Sequence, residues 1–122
     1  MATIYSLTTL ELDESQKKAL VDELTSALGQ IYTKGLSLYF TKVKPEDTIG
    51  DAKNQLLFFV CVPPYITLEK KRLTIKILND AAIRGAGYKG KLKVIVLFQY
   101  HDDDGVGKDG LLFADAKAAA HN

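Results

Sequence analysis

The 122-residue chain has no tryptophan, one methionine, one cysteine, two histidines and three prolines. A single cysteine, Cys61, can neither close a disulfide within the chain nor build a cysteine metal cluster. A reducing, cytoplasmic location is therefore expected. Nothing basic flanks Cys61 in Leu56-Leu57-Phe58-Phe59-Val60-Cys61-Val62, so it reads as a structural thiol rather than a reactive one. The histidines, His101 and His121, both lie in the tail, which excludes a serine or cysteine triad. Charge of neither sign is in excess: 16 Lys and Arg against 15 Asp and Glu give a formal net charge of +1. No nucleic acid and no membrane surface is expected as a partner. The run from Leu56 to Val62 is the longest apolar one and far too short to span a bilayer. The start of the chain has neither the charged nor the apolar region of a secretory signal.

What the chain does have is an internal repeat. Ile4-Tyr5-Ser6-Leu7, followed by Asp13 to Leu20, returns at a constant offset as Leu57-Phe58-Phe59-Val60, followed by Ile66 to Leu73. Lys17 and Lys18 then meet Lys70 and Lys71, Leu20 meets Leu73, and Leu24 meets Ile77. Beyond each helix, Leu36, Leu38 and Phe40 match Leu92, Val94 and Val96. Thr48-Ile49-Gly50-Asp51 is echoed by Gly105-Val106-Gly107-Lys108-Asp109. A repeat of this kind decides the fold before any local reading does. It spells strand, helix, strand, twice.

Residues 3–9 are rich in β-branched and aromatic types and predict a strand. Asp13 with Gln16 three residues on makes a capping box, and Leu20, Val21, Leu24, Leu28 and Ile31 follow on one helical face. Gly35 is expected to stop that helix. A strand over 36–42 and a polar connection over 45–54 come next. The second copy begins with a strand over 56–62, apolar on both faces and closed by Pro63-Pro64. Thr67 caps a helix running to about Arg84, with Gly85 and Gly87 as its stop. A last strand covers 92–99. The expected layout is one domain over 1–122, with repeat one at about 2–54, repeat two at about 55–110 and a flexible tail from about 111 to 122.

The fold class that follows is α+β: two tandem βαβ units, one four-stranded sheet, both helices on one face. Two helices can cover only one face of such a sheet. Strands apolar on both sides then leave an exposed apolar face, which self-association would bury. An obligate homo-oligomer is expected.

In layout the chain resembles the tautomerase superfamily, whose members are βαβ units assembled as short chains or as fused double units in trimers. The resemblance spans nearly the whole chain. It is sharpest at Asp13-Glu14-Ser15-Gln16-Lys17, at Lys42-Val43-Lys44-Pro45-Glu46-Asp47-Thr48-Ile49-Gly50, and at their echoes in the second half. The length resembles that of the fused members, which implies a homotrimer. The resemblance also implies catalysis by an amino-terminal proline exposed on loss of the initiator Met. Here Ala2 stands in that place. Loss of Met1 would leave a primary amine with a reference pKa of about 7.7–8.0. Such an amine can move a proton or form a Schiff base with a carbonyl compound. Of the family's carboxylate-holding arginines, one position aligns with Leu12 and its second-copy counterpart with Ile66. The other aligns with Ser37, and the aromatic wall falls near Thr48. Arg72 and Arg84, the chain's two arginines, both lie in the second helix.

Two readings of Ala2 stand side by side: an amine at the mouth of a pocket, or an ordinary strand start. Tyr39, Lys42 and Tyr100 are the candidates for new substrate contacts, against their plain reading as outward or edge residues of strands. No metal site and no cofactor is expected. The run Asp102-Asp103-Asp104-Gly105 fails the calcium-loop template, since its glycine is displaced and Phe113 stands where Glu is required. Gly85, Gly87 and Gly90 lack a phosphate-binding spacing, and the lysine clusters at 17–18 and 70–71 read as wet helix faces. Three functions remain open. One is weak keto–enol tautomerisation of a small carbonyl compound through the terminal amine. Another is a non-catalytic trimeric scaffold or small-ligand-binding relative. The third is an unrelated ferredoxin-like domain that would dimerise through its sheet.

Overall fold

A computed structural model describes residues 2–86 and 93–120. Its main sheet contains β1 (Ala2–Thr8), β2 (Leu36–Lys42), β3 (Gln55–Val62) and β4 (Lys93–Tyr100), in the order β2-β1-β3-β4. β1 pairs β2 in parallel, β3 pairs β4 in parallel, and the antiparallel pairing of β1 with β3 joins the two units. Helices α1 (Glu14–Gly29) and α2 (Leu68–Ala86) are the two crossovers. Each parallel pair with its helix is one copy of the repeat, as the crossover rule requires.

Alternation sorts the strands into two faces. Under the helices lie Ala2, Ile4, Ser6 and Thr8 of β1 and Leu56, Phe58, Val60 and Val62 of β3, all buried. They meet Leu20, Leu24 and Leu28 of α1 and Leu78, Ala81 and Ala82 of α2 in one core. The opposite face carries Tyr39, Tyr5, Phe59 and Leu97 in one register row, with Thr41, Leu7, Leu57 and Ile95 in the next. Tyr5 and Tyr39 stack with centroids 5.4 Å apart, yet remain 46% and 56% exposed. A row of aromatic and aliphatic side chains thus crosses the whole sheet with no helix over it.

The capping box opens α1 as expected. The Asp13 carboxylate accepts the Gln16 N–H at 2.7 Å, and the Gln16 side-chain oxygen accepts the Asp13 N–H at 3.0 Å. Thr67 Oγ1 accepts the Lys70 N–H at 3.1 Å and opens α2. β2 spans the expected residues, while β3 begins one residue early and β4 runs to Tyr100. Leu92, expected as the first residue of β4, lies outside the described residues, as do Met1, Gly87, Gly90 and His121.

Two glycines do something other than stop helices. α1 ends at Gly29, well before Gly35, because Tyr32 turns inward with its hydroxyl 2.8 Å from Thr74 Oγ1. Gly35 instead supplies a backbone φ of 132° in the turn feeding β2, where a side chain would be strained. Gly85 sits inside α2, and a Cβ there would fall 2.7 Å from Leu20 Cα. Its role is the close approach of the two helices. Gly85→Ala gains helix propensity worth about 1 kcal/mol. The clash with α1 backbone is expected to outweigh that, for a net loss of about 1–3 kcal/mol read by urea unfolding.

Short elements follow β4, at the end of the second repeat and in the segment expected as a tail. β5 (Gly107–Lys108) and β6 (Leu111–Leu112) form a small antiparallel ribbon, and α3 (Phe113–Ala120) follows. Lys117 on α3 reaches the Asp103 carboxylate at 3.0 Å. The stretch from Pro45 to Asn54, expected as an irregular connection, contains two short 3₁₀ turns.

Candidate functional site

The two ends of the sheet differ. At the end where β1 begins, the Ala2 nitrogen donates to the Gly35 carbonyl at 3.0 Å. Ala2 itself is buried, level with Leu36 of β2 on one side and one step beyond the Thr3–Cys61 pair on the other. Beside it opens a cavity of about 350 Å³ whose lining includes Tyr32, Lys34, Val62, Tyr65, Ile66 and Lys70. Lys34 immediately precedes Gly35, whose carbonyl accepts the Ala2 N–H, and Val62 is the next residue of β3 toward Ala2. The wall of the cavity is built from these neighbours and not from Ala2 or Gly35 themselves.

Lys34 and Lys70 are the charged side chains of this lining. Lys70 Nζ lies over the Tyr32 ring, 4.8 Å from its centroid. That contact holds the ammonium where an exposed lysine would otherwise sample many rotamers. The ring is itself fixed from behind. Thr74 Oγ1 donates to the Lys70 carbonyl at 2.8 Å, so the Tyr32 hydroxyl must donate to Thr74 across their 2.8 Å contact. Burial pushes the Tyr32 phenol up, with the Thr74 hydrogen bond working against it. It stays protonated through neutral pH, as that hydrogen bond requires. The site can therefore take a small anion or a polarised carbonyl oxygen between two cations and beside a backbone-anchored nitrogen.

At the far end the chain ties itself down. Thr8 Oγ1 donates to the Gln55 carbonyl at 3.1 Å and Thr9 Oγ1 to the Ala52 carbonyl at 2.6 Å. Lys42 belongs here, paired in register with Thr8, at the opposite end of β1 from Ala2. The structure does not bring it to the cavity. Tyr39 lies on the uncovered sheet face, stacked on Tyr5. Tyr100 is level with Val62 at the cavity end, but its hydroxyl receives Lys71 Nζ at 3.1 Å. Cys61 lies on the uncovered face, and burial pushes its thiol up, away from reactivity.

A smaller groove of about 180 Å³ between α1 and α2 is lined in part by Glu23, Asp80 and Arg84. Arg84 Nε meets Glu23 there at 2.7 Å, so the groove's charges satisfy each other at the surface. Among the described residues no group of three or more His, Cys, Asp or Glu could hold a metal ion. No helix among them is long and apolar enough to cross a membrane.

No protein-family model and no curated protein matches the sequence. Solved structures do match it. One, a wild-type fused 4-OT described as a symmetric trimer, superposes with a TM-score of 0.78 at 21% identity, covering 93% of this chain and 98% of its own. A native fused 4-OT gives 0.80 at 14% identity, over 94% and 98%. The chain has the tautomerase-superfamily fold. A malonate semialdehyde decarboxylase, described with decarboxylase and hydratase activities, superposes at 0.71 with 17% identity, over 94% and 98%.

Ile66 lines the cavity. Lys70, four residues on and in the first turn of α2, lines it as well. Sequence reasoning passed over Lys70 as a wet helix face and did not single out Tyr32, Lys34 or Tyr65. The available signal was Lys70 standing four residues from an apolar residue at an arginine position. Lys34 and Tyr65 offered none.

Proposed function

We propose that the chain, processed to Ala2, transfers protons on a small carbonyl compound in the manner of a tautomerase, with its terminal amine as the base and acid. The observation that carries this reading is the Ala2 nitrogen, held on the Gly35 carbonyl at 3.0 Å beside a cavity bearing Lys34 and Lys70. The Gly35 carbonyl accepts a hydrogen from that nitrogen and so fixes its direction at the start of β1. Lys34 and Lys70 replace arginine forks with point charges. They would hold a carboxylate or an enolate oxygen with less geometric selectivity. Slow, permissive turnover follows from that.

The same reading includes assembly. The uncovered sheet face supports a homotrimer, in keeping with the trimeric description of its fused 4-OT neighbour. The unpaired thiol of Cys61 suits a cytoplasmic setting. A second reading, a non-catalytic trimeric scaffold or ligand-binding relative, draws on the uncharged residues at Leu12, Ser37 and Ile66.

Ketonisation of phenylenolpyruvate by protein confirmed by intact mass to begin at Ala2 separates the two. The expected result is a rate above buffer that disappears when the terminal amine is blocked. Lys70→Ala should raise KM more than it lowers kcat. A rate equal to buffer would sink the enzymatic reading and leave the scaffold.

A further inference from the structure

We infer that Tyr32 is the positioning residue of this cavity: its ring face holds the Lys70 ammonium in place without cancelling its charge, and so sets the cavity's affinity for a small anion. This rests on the cavity of the proposed reading, and draws neither on Ala2 nor on proton transfer.

Lys70 is held differently from the chain's other anchored lysines. Lys17, Lys18, Lys76, Lys93 and Lys117 each meet a carboxylate. Lys71 gives a hydrogen to the Tyr100 hydroxyl at 3.1 Å. Among the described residues Lys70 Nζ has no such partner, and its contact is the Tyr32 ring, 4.8 Å away at the centroid. A carboxylate there would fix the ammonium but cancel its field. The ring fixes it through the quadrupole alone, carrying no net charge. All three ammonium hydrogens then stay available to a ligand. Lys34, the other cation of the lining, is exposed, whereas Lys70 is half-buried.

The ring cannot drift. Tyr32 and Thr74 are both buried, with their hydroxyl oxygens 2.8 Å apart. Thr74 donates in turn to the carbonyl of Lys70. The circuit therefore begins at the Lys70 carbonyl, passes through Thr74 and Tyr32, and closes on the Lys70 ammonium. A lysine held in this way has already given up rotamer freedom that binding would otherwise cost. The difference is worth about two- to tenfold in affinity.

Two variants separate the ring from its hydroxyl. Tyr32→Phe keeps the ring and leaves Thr74 bonded to the Lys70 carbonyl, so no buried donor loses its acceptor. Tyr32→Leu removes the ring.

The test is a titration of the full chain with benzoate, followed through the Lys70 and Lys34 ε-methylene signals by nuclear magnetic resonance. Benzoate presents one carboxylate to the two ammoniums and an apolar body to Val62, Pro63 and Ile66, in a cavity of about 350 Å³. The expected result is a saturable shift at Lys70. Affinity should fall about two- to tenfold in Tyr32→Leu and stay within about twofold of native in Tyr32→Phe. A residue that only supported the fold would weaken binding whether or not Lys70 were present. In a Lys70→Met background, Tyr32→Leu should therefore change affinity by less than about twofold. No shift at Lys70, equal losses in Tyr32→Phe and Tyr32→Leu, or a loss that persists without Lys70 would overturn the inference. If Tyr32→Leu does not fold, the ε protons of Lys70 decide. Ring current should move them upfield of the other lysines in the native chain and in Tyr32→Phe alike, and ordinary shifts would refute the contact. Phenylenolpyruvate ketonisation, run in parallel, keeps the two claims apart. Benzoate binding that depends on Tyr32, without ketonisation, removes proton transfer and keeps the positioning. Ketonisation whose KM is unmoved by Tyr32→Leu removes the positioning alone.

Discussion

Phe59→Glu is expected to run as a folded monomer, and the native chain is expected to run as a trimer. Phe59 sits in the middle of the register row Tyr39–Tyr5–Phe59–Leu97, on the face of the sheet that no helix covers. A carboxylate there must either stay wet, which forbids a second chain from closing over it, or be buried without a partner. The second option costs several kcal/mol at each copy of the contact. The fold itself should survive, because the side chain points away from the core under α1 and α2. Sedimentation or light scattering at micromolar concentration reads the assembly, and far-ultraviolet circular dichroism reads the fold. A native chain that is already monomeric, or a Phe59→Glu chain that stays trimeric, would refute the assignment of this face.

The neighbouring residue is expected to behave in the opposite way. Phe58→Ala should lower the unfolding free energy by about 3–5 kcal/mol, since Phe58 is the largest of the fully buried side chains and points under the helices. Domains of this size are stable by only about 5–15 kcal/mol in all. The variant should therefore have a much lower urea midpoint. A loss under about 1 kcal/mol would mean that the core is not where β3 places it. The pair is a direct test of the strand's two faces, because the two residues are adjacent and chemically identical. Only the face differs.

Much of this was legible in the sequence because the repeat restricts the possibilities. Two copies of strand, helix and strand fix the element order, but 56–62 is apolar on both faces and so does not tell which face meets the helices. Asp13 with Gln16 set the start of α1, and Thr67 the start of α2, because caps act within a few residues of themselves. The two glycines were another matter. Gly35 and Gly85 look like stops when read locally, but α1 ends where Tyr32 finds Thr74, 42 residues away in sequence. Gly85 is set by Leu20 on the other helix. Both are tertiary causes that leave no local trace.

The site divides along the same line. Ala2 entered as an expectation from family resemblance, and in the structure its nitrogen donates to the Gly35 carbonyl. Lys42 was placed wrongly relative to Ala2 because a parallel pair puts strand ends with ends and starts with starts. The end of β2 can only lie beside the end of β1. Tyr32 and Lys34 come from the connection between α1 and β2 and Tyr65 from that between β3 and α2, and nothing in the linear sequence announces that they face one cavity.

The antiparallel seam between β1 and β3 makes Ala2 and Gln55 counterparts: each begins a strand, and each has a parallel neighbour at its flank, Leu36 in one case and Lys93 in the other. Their nitrogens are not chemical equals. Gln55 lies in mid-chain, so its lone pair is shared with the Asn54 carbonyl and has no basicity to offer. With two βαβ units in one polypeptide, the nitrogen that opens the second unit is an amide, whatever the side chains are. The hydroxyls of Thr8 and Thr9, tied into the backbone around Gln55, occupy the end at which fusion had already put an amine out of reach.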